Sequence, residues 1–290
     1  MHADEYRFDS HDGLRLFARV YPGPAPEAPV VVCLHGLMRT GRDFEDLAPH
    51  LAQRYRVVVP DVRGRGLSAR DPRSENYQIP IYLRDLELLL KGLGIANTAI
   101  VGTSMGGLMA MVFGAMQPMR VTRIVLNDVG PEVDPKGLER IRGYAGRSAV
   151  AMTWSEAADQ LRTIFASAWP DIDSARWAVL ARRSYRENAQ GKIEPDADAR
   201  IGDVLRASAS SAANLWSLWE MLGKVPILVL RGATSDVLSE ATLARMLKSK
   251  PGLKSIIVPN RGHVPLLDEP ECLQAIDEFL AAGSKSGDAV

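Results

Sequence analysis

The most regular feature of the chain is a series of short apolar runs that alternate with longer amphipathic stretches. Residues 30–34 form a continuous apolar run. Such runs are typical of strands that are buried on both faces of a parallel sheet. Comparable segments follow at 56–60, 98–102, 121–128, 226–232 and 253–258. Because helical patterns separate these segments, we predict an α/β fold with a mostly parallel sheet and helices on both of its faces.

The N-terminal region has a different pattern, in which polar and apolar residues alternate. The alternation covers residues 6–8 and 14–21 and is interrupted by the turn sequence His11-Asp12-Gly13. Period-two alternation on both sides of a short turn indicates an antiparallel hairpin. We place this hairpin at one edge of the sheet, which then has eight strands.

Helical patterns connect the strands of this sheet. Residues 41–53, 79–93 and 270–281 have the apolar spacing of helices. A further helix is predicted up to residue 249, with Ser239 as its N-cap and Glu240 in its first turn.

The alternation of strand and helix patterns stops between residues 131 and 223. This region has no apolar strand run and instead contains amphipathic stretches at 137–147, 155–168, 173–188 and 203–222. We therefore predict an all-helical cap inserted into the α/β domain. In this division, residues 1–130 and 224–290 form the two parts of the core and residues 131–223 form the cap.

Composition and charge exclude several classes of partner. The chain has 290 residues, with 35 Lys and Arg against 35 Asp and Glu, so no net field favours nucleic acid or an anionic membrane. No stretch approaches the ~20 apolar residues of a membrane helix, and the N-terminus is polar, so we expect a cytoplasmic protein with small-molecule partners. The two cysteines, Cys33 and Cys272, lie in apolar and helical segments, which favours buried thiols over a disulfide or a metal site.

A serine lies between two glycines where the strand at 98–102 ends. The spacing Gly102-x-Ser104-x-Gly106 before a helical stretch is typical of a sharp strand–turn–helix. Such a turn exposes the hydroxyl at the N-terminus of a helix, where partial positive charge favours an anion. We interpret Ser104 as a nucleophile.

A serine nucleophile needs a base and a group that orients the base. His263 follows the last strand in a glycine-containing loop, at the same carboxyl edge of the sheet as Ser104, and is the predicted base. Asp236 lies in the loop after the preceding strand, at the same carboxyl edge, and is the preferred acid; the order Ser104, Asp236, His263 matches the order of α/β-hydrolases. Asp128, at the end of the strand at 121–128, remains the alternative.

These residues belong to a larger set of motifs. The set comprises Leu34-His35-Gly36, Asp61-Val62-Arg63-Gly64-Arg65-Gly66, Gly102-Thr103-Ser104-Met105-Gly106, Arg231-Gly232 with Asp236, and Gly262-His263. With this set, the chain resembles the α/β-hydrolase fold serine hydrolases over nearly its whole length outside the cap. The resemblance implies that the backbone N–H groups of Leu37 and Met105 bind the oxyanion. It also implies that His35 orders the loop that carries Leu37, which is called the oxyanion loop below.

The resemblance points to hydrolysis of a carboxylic ester or lactone with a small to medium, partly apolar substrate, through an acyl-enzyme on Ser104. It implies no cofactor and no metal. Dehalogenases and epoxide hydrolases of this fold carry aspartate at the position of Ser104, so those reactions are disfavoured. The alternatives are a C–C bond hydrolase or perhydrolase with the same triad, and a receptor-like protein that binds a ligand without turnover.

Substrate-binding residues are harder to identify from the sequence. Arg39 and Arg42 follow the predicted oxyanion loop and could bind a substrate carboxylate, although solvated arginines at the rim of a site are common. Tyr144 and Trp154 lie in the cap and could line an apolar pocket, although aromatic residues on amphipathic helices first of all pack cores. We take Arg39, Tyr144 and Trp154 as candidates.

Overall fold

The computed structural model describes residues 2–147, 153–207 and 214–282. Its strands are β1 (Asp4–Asp9), β2 (Arg15–Tyr21), β3 (Val30–Leu34), β4 (Arg56–Asp61), β5 (Thr98–Thr103), β6 (Val121–Asn127), β7 (Tyr185–Glu187), β8 (Ile193–Pro195), β9 (Ile227–Gly232) and β10 (Lys254–Val258). Eight of them form one sheet in the order β1-β2-β4-β3-β5-β6-β9-β10. The pairs β1–β2 and β2–β4 are antiparallel and the others are parallel, so the predicted sheet with an edge hairpin is confirmed.

Most helices lie where the apolar spacing predicts them, but the stretch predicted over 173–188 ends at Ser184 and the stretch predicted over 203–222 contains two separate helices. They are α1 (Leu47–Leu51), α2 (Ile79–Gly92), α3 (Met105–Met116), α4 (Pro135–Tyr144), α5 (Trp154–Phe165), α6 (Ser174–Ser184), α7 (Arg200–Ala207), α8 (Trp216–Met221), α9 (Glu240–Ser249) and α10 (Pro270–Ala281). The single helix predicted over 41–53 is instead a 3₁₀ turn, Gly41–Phe44, followed by α1. Pro49 explains the break, because a proline is tolerated only in the first turn of an α-helix. None of the described helices is long and apolar enough to cross a membrane.

The sheet is buried on both faces, as the continuous apolar runs predict. Along β3, Val32 and Leu34 belong to a cluster that includes residues of α2 and α3, whereas Val31 and Cys33 belong to a second cluster with residues of α1 and α10. Side chains that alternate along a strand point to opposite faces, so each face of β3 has its own helical layer. The cysteine thiols are free and buried, and burial raises the pKa of both Cys33 and Cys272.

The inserted segment, residues 131–223, is called the cap below, and the described residues before and after it are called the sheet domain. It contains α4 to α8 and also the antiparallel pair β7–β8, so the prediction of an all-helical cap was incomplete. Each of these strands has three residues, too few to leave a periodic pattern in the sequence. Of the helix predicted over 203–222, residues 208–213 lie outside the described residues, as does the tail after residue 282.

The cap has an apolar core of its own. Phe165 stacks on Trp169 with ring centroids 4.8 Å apart, and Trp169 lies 5.6 Å from Trp177. Helix α8 packs instead against α3 of the sheet domain, where Trp219 is fully buried. The tryptophans of the cap therefore form two groups. Trp169 and Trp177 pack inside the cap, whereas Trp219 packs against the sheet domain.

Candidate active site

Ser104 occupies a strained turn between β5 and α3. Its φ is 51° and its ψ is −113°, a conformation that a non-glycine residue rarely adopts. A Cβ on Gly102 would lie 2.4 Å from the carbonyl oxygen of Gly106, and a Cβ on Gly106 would lie 2.0 Å from that of Leu34. The glycines of the motif are therefore required by backbone contacts, and these contacts hold Ser104 at the first turn of α3.

Ser104, His263 and Asp128 form a hydrogen-bonded chain. His263 Nε2 lies 2.9 Å from Ser104 Oγ, and His263 Nδ1 lies 2.7 Å from Asp128 Oδ2. The three residues follow β5, β10 and β6, whose carboxyl ends share one edge of the sheet. With Nδ1–H of His263 donating to the Asp128 carboxylate, Nε2 carries no proton and can accept the proton of Ser104.

Asp128 is fully buried and has further partners. The backbone N–H of Gly232 donates to Oδ1 at 2.9 Å, and the hydroxyl of Ser235 donates to Oδ2 at 2.6 Å. These bonds, together with the His263 contact, fix the orientation of the carboxylate. Ser235 was not predicted from the sequence, in which its position in the loop after β9, next to Asp236, is the one signal.

The prediction of Asp236 as the acid partner of His263 was wrong in its geometry. Asp236 instead pairs with Arg140 of α4, at 2.5 Å from Nε to Oδ2 and 2.8 Å from Nη2 to Oδ1. Burial raises and the Arg140 guanidinium lowers the pKa of Asp236, and the net effect is a lowering. A cap helix therefore binds the Asp236 carboxylate, and the alternative, Asp128, lies at Nδ1 of the histidine.

His35 braces the loop that follows β3. Its Nε2 accepts a hydrogen bond from the N–H of Val62 at 3.0 Å, so its Nδ1–H donates to the carbonyl of Gly36 at 2.8 Å. Complete burial, with a smaller contribution from the nearby Arg65 guanidinium, lowers the pKa of His35 to about 4. His35 is thus a neutral imidazole that links the loop to the residue after β4.

The backbone N–H groups of Leu37 and Met105 are free. Neither donates a hydrogen bond to any residue that the structure describes. Arg65 is buried and donates from Nε to the carbonyl of Leu37 at 2.9 Å, which fixes the peptide that follows it. The oxyanion role that the resemblance implies for Leu37 and Met105 stays a prediction.

A cavity of about 670 Å³ opens beside Ser104 and His263. This volume lies within the usual range for small-molecule sites. Tyr144 lines the cavity and meets Phe165 edge-on at 5.5 Å, as predicted for a cap aromatic. Trp154 does not line the cavity, to which α5 contributes only residues of its C-terminal half, from Gln160 onward; the Arg182 guanidinium instead lies over the Trp154 ring at 3.7 Å.

The two arginines after the oxyanion loop have different positions. Arg39 lines the cavity and pairs with Asp43, whereas Arg42 does not line it and pairs with Glu45. Among the described residues, no group of three or more His, Cys, Asp or Glu side chains is arranged to hold a metal ion.

The cap also holds the loop that carries His263. The N–H of Gly262 donates to the carbonyl of Ala168 at 2.8 Å, and the indole N–H of Trp169 donates to the carbonyl of Val264 at 2.7 Å. These two bonds flank the histidine on both sides. The position of the imidazole therefore depends on the cap as well as on the sheet.

Comparisons with known proteins agree with this fold. The family model of the alpha/beta hydrolase fold matches residues 29–270. A 3-hydroxybutyrate-oligomer hydrolase from Cupriavidus necator is 34% identical over 278 residues, covering 92% of this chain and 94% of that protein. A 2-(acetamidomethylene)succinate hydrolase from Mesorhizobium japonicum is 25% identical over 255 residues, covering 88% of each.

A solved structure is similar over the same extent. The crystal structure of an alpha/beta hydrolase from Novosphingobium aromaticivorans superposes with a TM-score of 0.91 at 43% sequence identity, covering 97% of this chain and 99% of that chain. The similarity spans the cap as well as the sheet. On the family match, the relatives and the topology, the chain belongs to the α/β-hydrolase fold family of hydrolases.

Proposed function

We propose that this protein is a serine hydrolase that cleaves a carboxylic ester or lactone through an acyl-enzyme on Ser104. The observation that carries the proposal is the hydrogen-bonded chain from Ser104 through His263 to the buried Asp128, next to a cavity lined mainly by apolar groups. An alcohol is a poor nucleophile at neutral pH, and such a chain is the arrangement that activates it.

Each residue has a defined role in the proposed reaction. Ser104 Oγ attacks the carbonyl carbon while His263 Nε2 takes its proton, and Asp128 stabilises the imidazolium through Nδ1–H. The tetrahedral intermediate then collapses, and His263 gives the proton to the departing alcohol oxygen. A water molecule, deprotonated by His263, attacks the acyl-enzyme and releases the acid and Ser104.

The free N–H groups of Leu37 and Met105 bind the oxyanion in this proposal. Donors of this kind act where negative charge develops, and losing one typically costs about 3 kcal/mol of transition-state stabilisation. The bracing by His35 and Arg65 holds the Leu37 peptide before substrate arrives, so little reorganisation is needed at the moment of reaction. Ser104 lies at the N-terminus of α3, whose dipole acts in the same direction.

The comparisons favour an ester among the substrates open to such a site. The relative from Cupriavidus necator is named for 3-hydroxybutyrate oligomers, whose units are joined by carboxylic ester bonds. A cavity of about 670 Å³ with aromatic and aliphatic walls suits an acyl group of small to medium size.

Replacement of Ser104 by alanine tests the proposal. We expect Ser104→Ala to lower kcat for p-nitrophenyl hexanoate by at least about 10³-fold, because the nucleophile is absent while the cavity remains. The melting temperature, measured by circular dichroism, should stay within about 2 °C of the parent. Retained turnover in this variant would show that Ser104 is not the nucleophile.

Covalent labelling separates catalysis from simple binding. A fluorophosphonate probe should add its phosphonyl group to the parent at Ser104, seen by intact mass and peptide mapping, and should not add to Ser104→Ala. A parent protein that stays unlabelled and inactive would support the receptor-like alternative instead.

A further inference from the structure

We propose that the substrate carries a free carboxylate and that Arg39 binds it, so that the preferred substrates are anionic esters such as short oligomers of a hydroxy acid. The inference rests on the proposed function, since Arg39 selects a substrate only if Ser104 attacks one. It extends that function by naming the substrate class and the residue that recognises it.

Arg39 lies close to the proposed nucleophile. A Cβ built on Gly36 would lie 3.4 Å from Arg39 Cγ and 3.9 Å from Ser104 Cβ, so the two side chains border the same small space. Both also line the cavity. A molecule that fills the cavity can therefore contact both Arg39 and Ser104.

Asp43 fixes one edge of the Arg39 guanidinium. Arg39 Nε lies 3.0 and 2.9 Å from the two carboxylate oxygens of Asp43, and Nη2 lies 2.6 Å from Oδ1. Burial opposes and Asp43 favours the charged guanidinium, and the balance raises the pKa of Arg39. A planar fork that is held along one edge is already oriented to donate from the other.

The other terminal nitrogen of Arg39 has no acceptor. Nη1 is buried and forms no hydrogen bond with the residues that the structure describes. A buried donor without a partner destabilises the structure, and hydrogen bonds to a carboxylate are among the strongest that a guanidinium forms. A bound anionic substrate would remove this cost, which is a reason for the cavity to prefer it.

The charges around the cavity favour an anion as well. Five arginines line it, and three of them, Arg39, Arg176 and Arg183, are already ion-paired with carboxylates. Arg70 and Arg147 are exposed and form no ion pair with a described residue. Excess positive charge in a low-dielectric cleft raises the local concentration of negatively charged ligands.

Arg42 provides a matched control in the same segment. It forms an ion pair with Glu45 at 3.1 Å, as Arg39 does with Asp43, but its side chain is 31% exposed and does not line the cavity. Removing either arginine removes one positive charge and one ion pair. Only the loss of Arg39 should change the recognition of a substrate.

The test compares two substrates that differ in one charge. The linear dimer of 3-hydroxybutyrate has a free carboxylate, and its carboxamide replaces that group with a neutral amide of nearly equal size. We expect kcat/KM of the parent, from chromatographic product analysis, to be about 10-fold or more higher for the acid, since hydrogen bonds to charged groups are worth more than neutral ones.

Variants then assign the preference to one residue. In Arg39→Met the ratio of the two kcat/KM values should fall to about 1, whereas in Arg42→Met it should stay at the parent value. An unchanged ratio in Arg39→Met overturns the inference, as does an equal loss in both variants. If the parent hydrolyses p-nitrophenyl hexanoate but does not prefer the acid, the carboxylate site is wrong and the proposed function stands.

A binding measurement keeps the test independent of turnover and of the folding of Arg39→Met. Calorimetric titration of the Ser104→Ala protein with the dimer and with its carboxamide compares two ligands on one chain. We expect the acid to bind about 10-fold more tightly than the carboxamide. In the double variant that also carries Arg39→Lys, which keeps the positive charge but not the planar guanidinium, this ratio of affinities should fall. Equal affinities for acid and carboxamide would refute the proposal.

Discussion

The sheet and the cap differ in what holds them in place. In the sheet, central strands are fully buried, and glycines such as Gly106 bring backbones into direct contact. The cap is joined to the sheet domain by apolar packing, as at Trp219, and also by charged groups at its edge: Arg183 donates to both carboxylate oxygens of Asp46 at 2.8 and 2.7 Å, and Arg140 binds Asp236. Packing tolerates few changes of shape, whereas ion pairs at a boundary depend on pH and on salt.

The sheet and the cap contribute different parts of the site. The proposed nucleophile, base and acid all follow strands of the sheet, which places their backbones at one edge, and the cap adds two hydrogen bonds to the loop of the base, His263. Tyr144 and much of the cavity wall belong to the cap. Reactivity is therefore expected to follow changes in the sheet, and selectivity to follow changes at the boundary with the cap.

The largest expected effect contrasts the two carboxylates near His263. Asp128→Asn should lower kcat by about 10⁴-fold, because an amide at this position favours the wrong imidazole tautomer. Asp236→Asn should lower it by less than about 10-fold, because it removes only a half-exposed ion pair with Arg140. Steady-state kinetics with p-nitrophenyl hexanoate measures both, and melting curves check that each variant is folded. Equal losses would mean that Asp236 acts on the histidine as well.

The second prediction contrasts Gly106, in helix α3 of the sheet domain, with Gly143, in helix α4 of the cap. Gly106→Ala should lower the free energy of unfolding by about 3 kcal/mol, because its Cβ would lie 2.0 Å from the carbonyl oxygen of Leu34 and only a shift of the backbone can relieve that contact. Gly143 lies in α4, and its Cβ would have open space around it, so Gly143→Ala should raise stability by about 0.5–1 kcal/mol. Urea denaturation of both variants tests the contrast, which fails if Gly106→Ala is neutral.

The third prediction contrasts two buried groups whose pKa values are shifted in opposite ways. His35, in the sheet domain, has a pKa lowered to about 4 by burial and then by Arg65, so it supports folding above its ordinary value of 6.5. That contribution is lost as the pH falls from about 6.5 to about 4, over which it amounts to about 3 kcal/mol. The stability difference between the parent and His35→Asn should therefore shrink over this range.

Asp196, in the cap, shows the reverse behaviour. Burial raises its pKa to about 6, against the opposing effect of Arg186, and its Oδ1 has no hydrogen-bond partner among the described residues. Its contribution is favourable below the ordinary value of 3.8 and is lost as the pH rises through about 6. Asp196→Asn should thus stabilise the protein by about 2 kcal/mol at pH 7, and the gain should disappear near pH 4. Unfolding curves from pH 4 to 7 decide; a gain that is independent of pH would contradict the assignment.

The sequence predicted those parts of the fold that rest on local pattern. The apolar run at β3 has one physical interpretation, a buried strand, and it was predicted as one. The glycines around Ser104 likewise have one interpretation, a close approach of two backbones, and this was also predicted. The position of His263 followed from the order of strands alone. Pro49 shows that even a local pattern needs both its periodicity and its breakers, because the helix predicted across it is divided.

The choice between Asp128 and Asp236 could not be made from the sequence. Both residues follow neighbouring strands at the same edge of the sheet, so strand order allows either to reach the histidine. The contact that separates them is with Arg140, 96 residues away from Asp236 in a cap helix whose packing leaves no motif. The different positions of Arg39 and Arg42, three residues apart in the chain, likewise depend on which side of the loop faces the cavity.

The hydrogen bonds that join the cap to the histidine loop limit how the molecule can be redesigned. Ala168 and Trp169 hold Gly262 and Val264 on either side of the imidazole. An exchange of caps between relatives, made to transfer substrate preference, would cut these bonds unless the Ala168-Trp169 corner is kept. A chimera without that corner should lose turnover on every ester, whereas one that retains it can take up a new preference without loss of rate.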